Sequence, residues 1–338
     1  MREGRQLVRE TKRFQAENRL RSWWALISTV VTMTAAIGIA CTAAFPWYVR
    51  LGASIMAALV HVRLFVIYHD YQHGAILQRS IAGPFFWVYG LLAASPASIW
   101  RHTHNHHHAH NMETIGVHSV GSYPILTVAA YARASRRERL FYRISRHPLT
   151  ILCGYFTVFV LGFCILPVLE SARKHWDATL SLAVQIGLAV GLAIWRPDIL
   201  LYAFVLPSFI ASALGSYLFY AQHNFPEAKI RPGQEWDYVL AALESSSYIK
   251  MNPVMAWFTA NIGYHHVHHL NAKIPFYRLP EAMREVEPLQ KPFITRLSIR
   301  DIWRCFRLEL WDPKRDRFVS FREARDRHAK QPKPVQAA

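Results

Sequence analysis

Thirteen of the 18 histidines fall in four places along the chain, and imidazole nitrogen is a good ligand for iron, copper, zinc and nickel. The first place is His69-Asp70-Tyr71-Gln72-His73. Histidines four apart on a helix share a face, so both rings can reach one metal, although such a pair also occurs as two surface or core histidines. The second place runs from Arg101 to His110 and holds six histidines. Because a helix turns about 100° per residue, His104, His107 and His108 lie within an arc of about 100°, while His102, His106 and His110 turn away. Alone, this stretch could equally be a soluble histidine-rich tract that binds stray metal. The third place, Gly263 to His269, repeats the frame with His265, His268 and His269 and leaves His266 off that face. The fourth is a single residue, His223, just after the last apolar segment.

These make nine neutral nitrogen donors, more than one tetrahedral zinc would take, and the number suits two metals of higher coordination. No Glu-x-x-His pattern supplies the bridging carboxylates of soluble di-iron bundles. An all-nitrogen, two-metal site beside apolar segments fits activation of O2 for attack on an unactivated C–H bond. Asp70, Asn105 and Asn224 are candidate acceptors for the ring N–H groups.

The elements that must position these rings are membrane helices. Several uncharged stretches approach the roughly 20 residues needed to cross a bilayer. They lie at about 24–45, 48–68, 148–169, 178–195 and 198–221. The first two are parted only by a short connection with Pro46 and Arg50 and read as a helical hairpin. Residues 81–99 are apolar but broken by Gly83, Pro84, Gly90 and Pro96, which suits a surface-lying or re-entrant piece. If both histidine-rich regions, 69–118 and 223–269, build one site, an even number of crossings must separate them. The segment 148–169, interrupted by Cys153, Gly154, Gly162 and Pro167, is the one expected not to cross. The expected fold is therefore an all-α integral membrane protein with four transmembrane helices and a helical cap. Residues 1–22 form a basic lead that suits an amphipathic surface helix, 23–285 the main domain and 286–338 a polar tail with a disordered Pro/Gln/Ala-rich end.

The chain carries 39 Lys and Arg against 22 Asp and Glu, a net charge of +17. A nucleic-acid binder could carry that surplus but would not need long apolar runs. The basic residues sit outside those runs, as at Arg136, Arg137, Arg139, Arg143 and Arg146, so the bias places the polar regions in the cytoplasm. The four cysteines, Cys41, Cys153, Cys164 and Cys305, form no CxxC pair, which excludes a zinc ribbon or iron–sulfur reading. The polar start through Ser22 has no short apolar run with a cleavage site, so no signal peptide is expected.

With these residues in hand, the chain resembles the membrane fatty acid desaturase superfamily, whose histidine boxes are HxxxH, HxxHH and HxxHH. The likeness covers roughly residues 50–285. Asn261 to Leu270, followed by Ile274-Pro275-Phe276-Tyr277-Arg278-Leu279, is similar to the acyl-lipid delta-12 (omega-6) branch, as are Trp100 before the second box and the pair Gln222-His223. Two features depart from the pattern: the second box is richer in histidine, and Pro226 stands where the branch often has an acidic residue. The resemblance implies a mushroom-shaped helical protein with a cytosolic di-iron cap, an acyl tunnel, and His223 as the ligand outside the boxes. It further implies O2-dependent insertion of a double bond into a lipid acyl chain, with electrons from an external ferredoxin or cytochrome b5-type donor. Acyl or alkane hydroxylases and carotenoid ketolases share the scaffold. A metal transporter is a competing class, but it would carry ionisable residues inside its spans. Here His61 and Arg63 are the main exceptions to nearly uncharged spans.

Overall fold

In the computed structural model, which describes residues 2–112, 122–231 and 233–328, four helices are long and apolar enough to cross a membrane among the described residues. They are Arg19–Cys41, Trp47–Gln72, Trp176–Trp195 and Pro197–His223, the first to fourth spans. The first begins where the Asn18 side chain accepts a hydrogen bond from the Arg21 N–H at 3.0 Å, an N-cap that satisfies one of the free donors of the opening turn. The second starts directly after Pro46 and ends at His73, with Gly74 taking φ +75 to turn the chain away. It is the central helix and the most deeply buried of the four.

The segment expected not to cross forms a short helix, Pro148–Leu152, and then an apolar helix, Tyr155–Ser171. Seventeen residues rise only about 25 Å, short of a hydrocarbon core of about 30 Å. Its first part, Tyr155–Ile165, is wound as π-helix, and the turn before it presses on the fourth span. A Cβ at Gly154 would lie 1.9 Å from Ser216 Oγ and 2.9 Å from the Ser212 carbonyl, so only glycine allows that approach. The apolar helix Ala82–Leu92 is likewise too short to span.

One ion pair fixes the sidedness of the bundle. Arg50 Nη2 lies 2.7 Å from Asp198 Oδ2, while Arg50 Nε donates to the Ala40 carbonyl at 2.8 Å. The turns joining spans one to two and three to four therefore sit at one end. The second and fourth spans run from that end to His69–His73 and His223 at the other.

That other end carries the cap. The second-box helix, Ala97–Ala109, and the third-box helix, His265–Leu270, meet the ends of the second and fourth spans there. A two-stranded parallel pair, Tyr248–Lys250 with Ile294–Arg296, and an antiparallel hairpin, Leu310–Asp312 with Arg317–Val319, complete it. The N-terminal helix Arg2–Thr11 and the turn after it bury Leu7, Thr11 and Phe14 against the cap. Gln15 and Thr11 both hydrogen-bond Asn271, at 2.9 and 3.0 Å, directly behind the third box. Beyond residue 285 the chain buries Leu289, Cys305, Phe306, Leu310, Trp311 and Phe318. The end expected to be disordered, 331–338, and residues 113–121 inside the first histidine-rich region lie outside the described residues.

Candidate metal centre

The eight histidines singled out by spacing, and His223 singled out by its place after the last apolar segment, converge in two groups. His69, His73, His104, His108 and His268 form one, and His107, His223, His265 and His269 the other, with the ligand atoms of each group within 4.8 Å of one another. In the first, Nε2 atoms of His69 and His104 are 3.0 Å apart, with 3.1 Å from His104 to His108 and 3.1 Å from His108 to His268. In the second, His223 Nε2 is 3.1 Å from His107 Nε2 and 2.9 Å from His265 Nε2, which is 3.0 Å from His269 Nε2. The groups lie side by side, with His108 and His269 stacked at 4.3 Å between ring centroids.

Each HxxHH box divides between the groups. Residues four apart are only about 40° from alignment on a helix, whereas those three apart diverge by about 60° in the other direction. So His104 and His108 point into the first group and His107 into the second, and in the third box His265 and His269 leave His268 to the first.

Second partners hold several rings in one tautomer. His223 Nδ1 is 2.9 Å from the Ser245 carbonyl, which can only accept, so Nδ1 carries the hydrogen and Nε2 presents a lone pair. Asp70 Oδ1 lies 3.2 Å from His69 Nδ1, while Oδ2 accepts the Phe276 N–H at 2.6 Å, tying the first box to the segment after the third. Ser122 Oγ lies 2.8 Å from His107 Nδ1, and the Tyr238 hydroxyl donates to the His269 carbonyl at 2.7 Å. Trp100 stacks on His104 at 4.3 Å and stands edge-on to His69 at 5.3 Å, closing one wall.

The donor set fits a metal. His73 Nε2 is buried among four other imidazoles with no hydrogen-bond partner. A buried lone pair left that way is costly unless a cation takes it. Burial, and then the like charge of neighbouring rings, holds His73, His104, His107, His108, His265, His268 and His269 well below the usual imidazole range. They are neutral at pH 7, the state that coordinates. Both groups consist of histidine alone.

The remaining sequence candidates fall elsewhere. His102 and His110 are exposed, and His106 stacks on His110 at 4.2 Å, away from both groups. His266 turns outward, with Nε2 3.1 Å from the Leu289 carbonyl, and burial lowers its pKa to about 4. Asp70 takes the supporting part expected of it, but Asn105 is exposed and Asn224 serves another cluster. Its amide donates to the Cys305 and Leu308 carbonyls at 2.8 and 2.9 Å and accepts from Arg146. Asn224 follows His223 on a helix end, where its side chain points away from the ring, so adjacency in sequence misled. Ser122, Ser245 and Tyr238 carry no signal in the sequence, since a hydroxyl or carbonyl meets a ring, or in the case of Tyr238 the His269 main chain, only through folding.

An apolar cavity of about 310 Å³ leads to the rings. His69, His104 and His265 line its inner end, and Phe65, Phe159, Phe163 and Ala211 its walls. Along the fourth span it extends from Gln222 to Ser208, roughly 21 Å at the helical rise of 1.5 Å per residue.

Four membrane-length helices, a histidine cap able to hold metal in two adjoining groups, and an apolar channel into it define a membrane-embedded metalloenzyme. The model of the family described as fatty acid desaturase matches residues 45–298. A fatty acid desaturase of Bacillus subtilis is 31% identical over 82% of this chain and 78% of its own length. The sn-1 oleoyl-lipid 12-desaturase of Synechocystis is 25% identical over 82% of this chain and 79% of its own. The sn-1 acyl-lipid omega-3 desaturase (ferredoxin) of the same organism is 25% identical over 73% and 70%. The chain belongs to the fatty acid desaturase family and is an oxidoreductase.

Proposed function

We propose that the nine histidines are the ligands of two iron ions, and that the chain inserts a double bond into the acyl chain of a membrane lipid. The observation that carries this reading is the pair of histidine groups, five and four nitrogens, at the closed end of an apolar channel. Neutral imidazole suits iron, and five or four nitrogens leave open positions on an ion that takes six ligands. Iron held there would supply reduction of O2 coupled to removal of two vicinal hydrogens. The protein's own part is placement. The channel admits a straight hydrocarbon and excludes water, and the wall of Trp100, His69 and His104 sets which carbons stop beside the site. Residues 23–285 serve as the catalytic unit, flanked in sequence by the 1–22 lead and the 286–338 tail.

The cap faces the cytoplasm in this reading. Arg133, Arg136, Arg137, Arg139, Arg143, Arg300 and Arg304 all belong to it, whereas the far-end turns hold Arg50 and Arg196 beside Asp198. Electrons come from a separate ferredoxin or cytochrome b5-type carrier.

The test is lipid analysis by mass spectrometry after expression in a host lacking the product, beside iron analysis of the purified protein. Wild type yields a new double bond and about two irons per chain; His268→Ala lowers both, the activity by roughly 100-fold or more. An unchanged lipid profile, or hydroxylated acyl chains alone, would replace the reading with another.

A further inference from the structure

We infer that the exposed face of the N-terminal helix and the turn after it, Arg5, Arg9 and Lys12 over Tyr238, is the docking surface for an acidic electron-carrier protein. The inference rests on the function proposed above and names the partner that its redox balance requires. An acyl chain losing two hydrogens gives up two electrons, and O2 must gain four electrons and four protons to become two waters. Two electrons are therefore delivered from outside, one from each of two reduced carriers, and two protons come from water. Among the described residues the four cysteines are free, and the two histidine groups are the metal-ligating clusters, so no second redox group is found there to store them.

Arg5, Arg9 and Lys12 line a shallow groove of about 410 Å³ together with Asp237, Tyr238 and Val239. The three cations are exposed and make no ion pair among the described residues, and Asp237 is turned inward to cap the next helix, accepting the Val239 and Leu240 N–H groups. The floor of the groove leads to the metal centre, because the Tyr238 hydroxyl donates to the carbonyl of His269, a member of the second histidine group. The helix is also held in place there: Val239 Cγ2 would be 3.1 Å from a Cβ at Gly4, and Thr11 bonds Asn271 just past the third box.

Other basic helices of the cap fit the bilayer instead. Arg136–Ser145 exposes Leu140 (60%), Phe141 (56%) and Ile144 (53%) beside its arginines, and Ile299–Phe306 exposes Ile299 (88%) and Trp303 (58%). Those are mixed faces that sink into a headgroup layer. The exposed residues from Gly4 to Arg13 are Arg5, Gln6, Arg9, Glu10, Lys12 and Arg13, with no apolar side chain among them. A polar face with four exposed cations against one exposed Glu suits an acidic protein surface, which steers encounter by charge.

The test titrates a reduced acidic [2Fe–2S] ferredoxin onto the iron-loaded full chain in neutral-lipid nanodiscs. The variants are Arg5→Glu/Arg9→Glu/Lys12→Glu and, as a control, Arg136→Glu/Arg137→Glu/Arg139→Glu. The first weakens binding and slows reduction of the metal centre about tenfold or more at about 50 mM salt, and the gap narrows as salt screens the charges. The control leaves both unchanged, and reduction by dithionite is the same in all three. Equal ferredoxin binding by wild type and the first variant overturns the assignment, as does loss in the control alone or no binding by wild type. Failure of the desaturase reading shows separately, as missing iron or an unaltered lipid profile.

Discussion

At the scale of single residues, the site is a problem of lone pairs. Nine imidazoles gathered in two groups, with ligand atoms within 4.8 Å of one another in each and several Nδ1 atoms already engaged, are costly to bury without cations between them. The supporting groups then matter nearly as much as the ligands. Asp70→Asn keeps the shape but weakens the acceptor that orients His69, so iron affinity should fall roughly 10–100-fold, measured by competition with a chelator. His266→Gln should retain iron in the same assay, since that ring faces the Leu289 carbonyl and neither histidine group. The contrast separates the structure from composition, because His265 and His266 are neighbours in a five-residue stretch that holds four histidines.

At the scale of elements, the decisive features are close approaches that hold a box in register. A Cβ on Gly263 would meet the Ile249 carbonyl at 2.5 Å, and the Ile249 N–H donates to the Gly263 carbonyl at 2.9 Å. Backbone stands on both sides of that contact, so no rotamer relieves it. Gly263→Ala should therefore cost about 1–3 kcal/mol of stability. It should also displace His265, seen as a lower melting temperature together with reduced iron content. Gly154 acts similarly where the short helix leans on the fourth span: turning the Ser216 hydroxyl away would still leave the Ser216 Cβ at 2.7 Å and the Ser212 carbonyl at 2.9 Å.

At the scale of the whole molecule, the channel couples the membrane to the cap. Gly215 lines it, with open space where a side chain would begin. Gly215→Phe should fill part of the cavity and leave the metal groups intact. Iron content should stay at the wild-type level while conversion of long acyl chains drops about tenfold or more relative to short ones, read by chain-resolved mass spectrometry. Equal losses for all lengths would mean that the substrate does not run along the fourth span.

How much of this was legible depends on whether the signal is local. Apolar runs, turn residues and the parity of crossings placed the four spans, because a bilayer imposes length and neutrality on each helix separately. The short segment at 148–169 was likewise legible, since its glycines and proline interrupt it within its own bounds. Helical spacing alone chose His104, His107 and His108 over their three histidine neighbours, because direction around a helix depends only on position along it. The division of each box between two groups was a different matter. Which partner His107 or His268 meets depends on helices from distant parts of the chain, and so do the choice of Asp70 over Asn224 and the Tyr238 contact to His269. Those are relations between elements, and packing in three dimensions decided them.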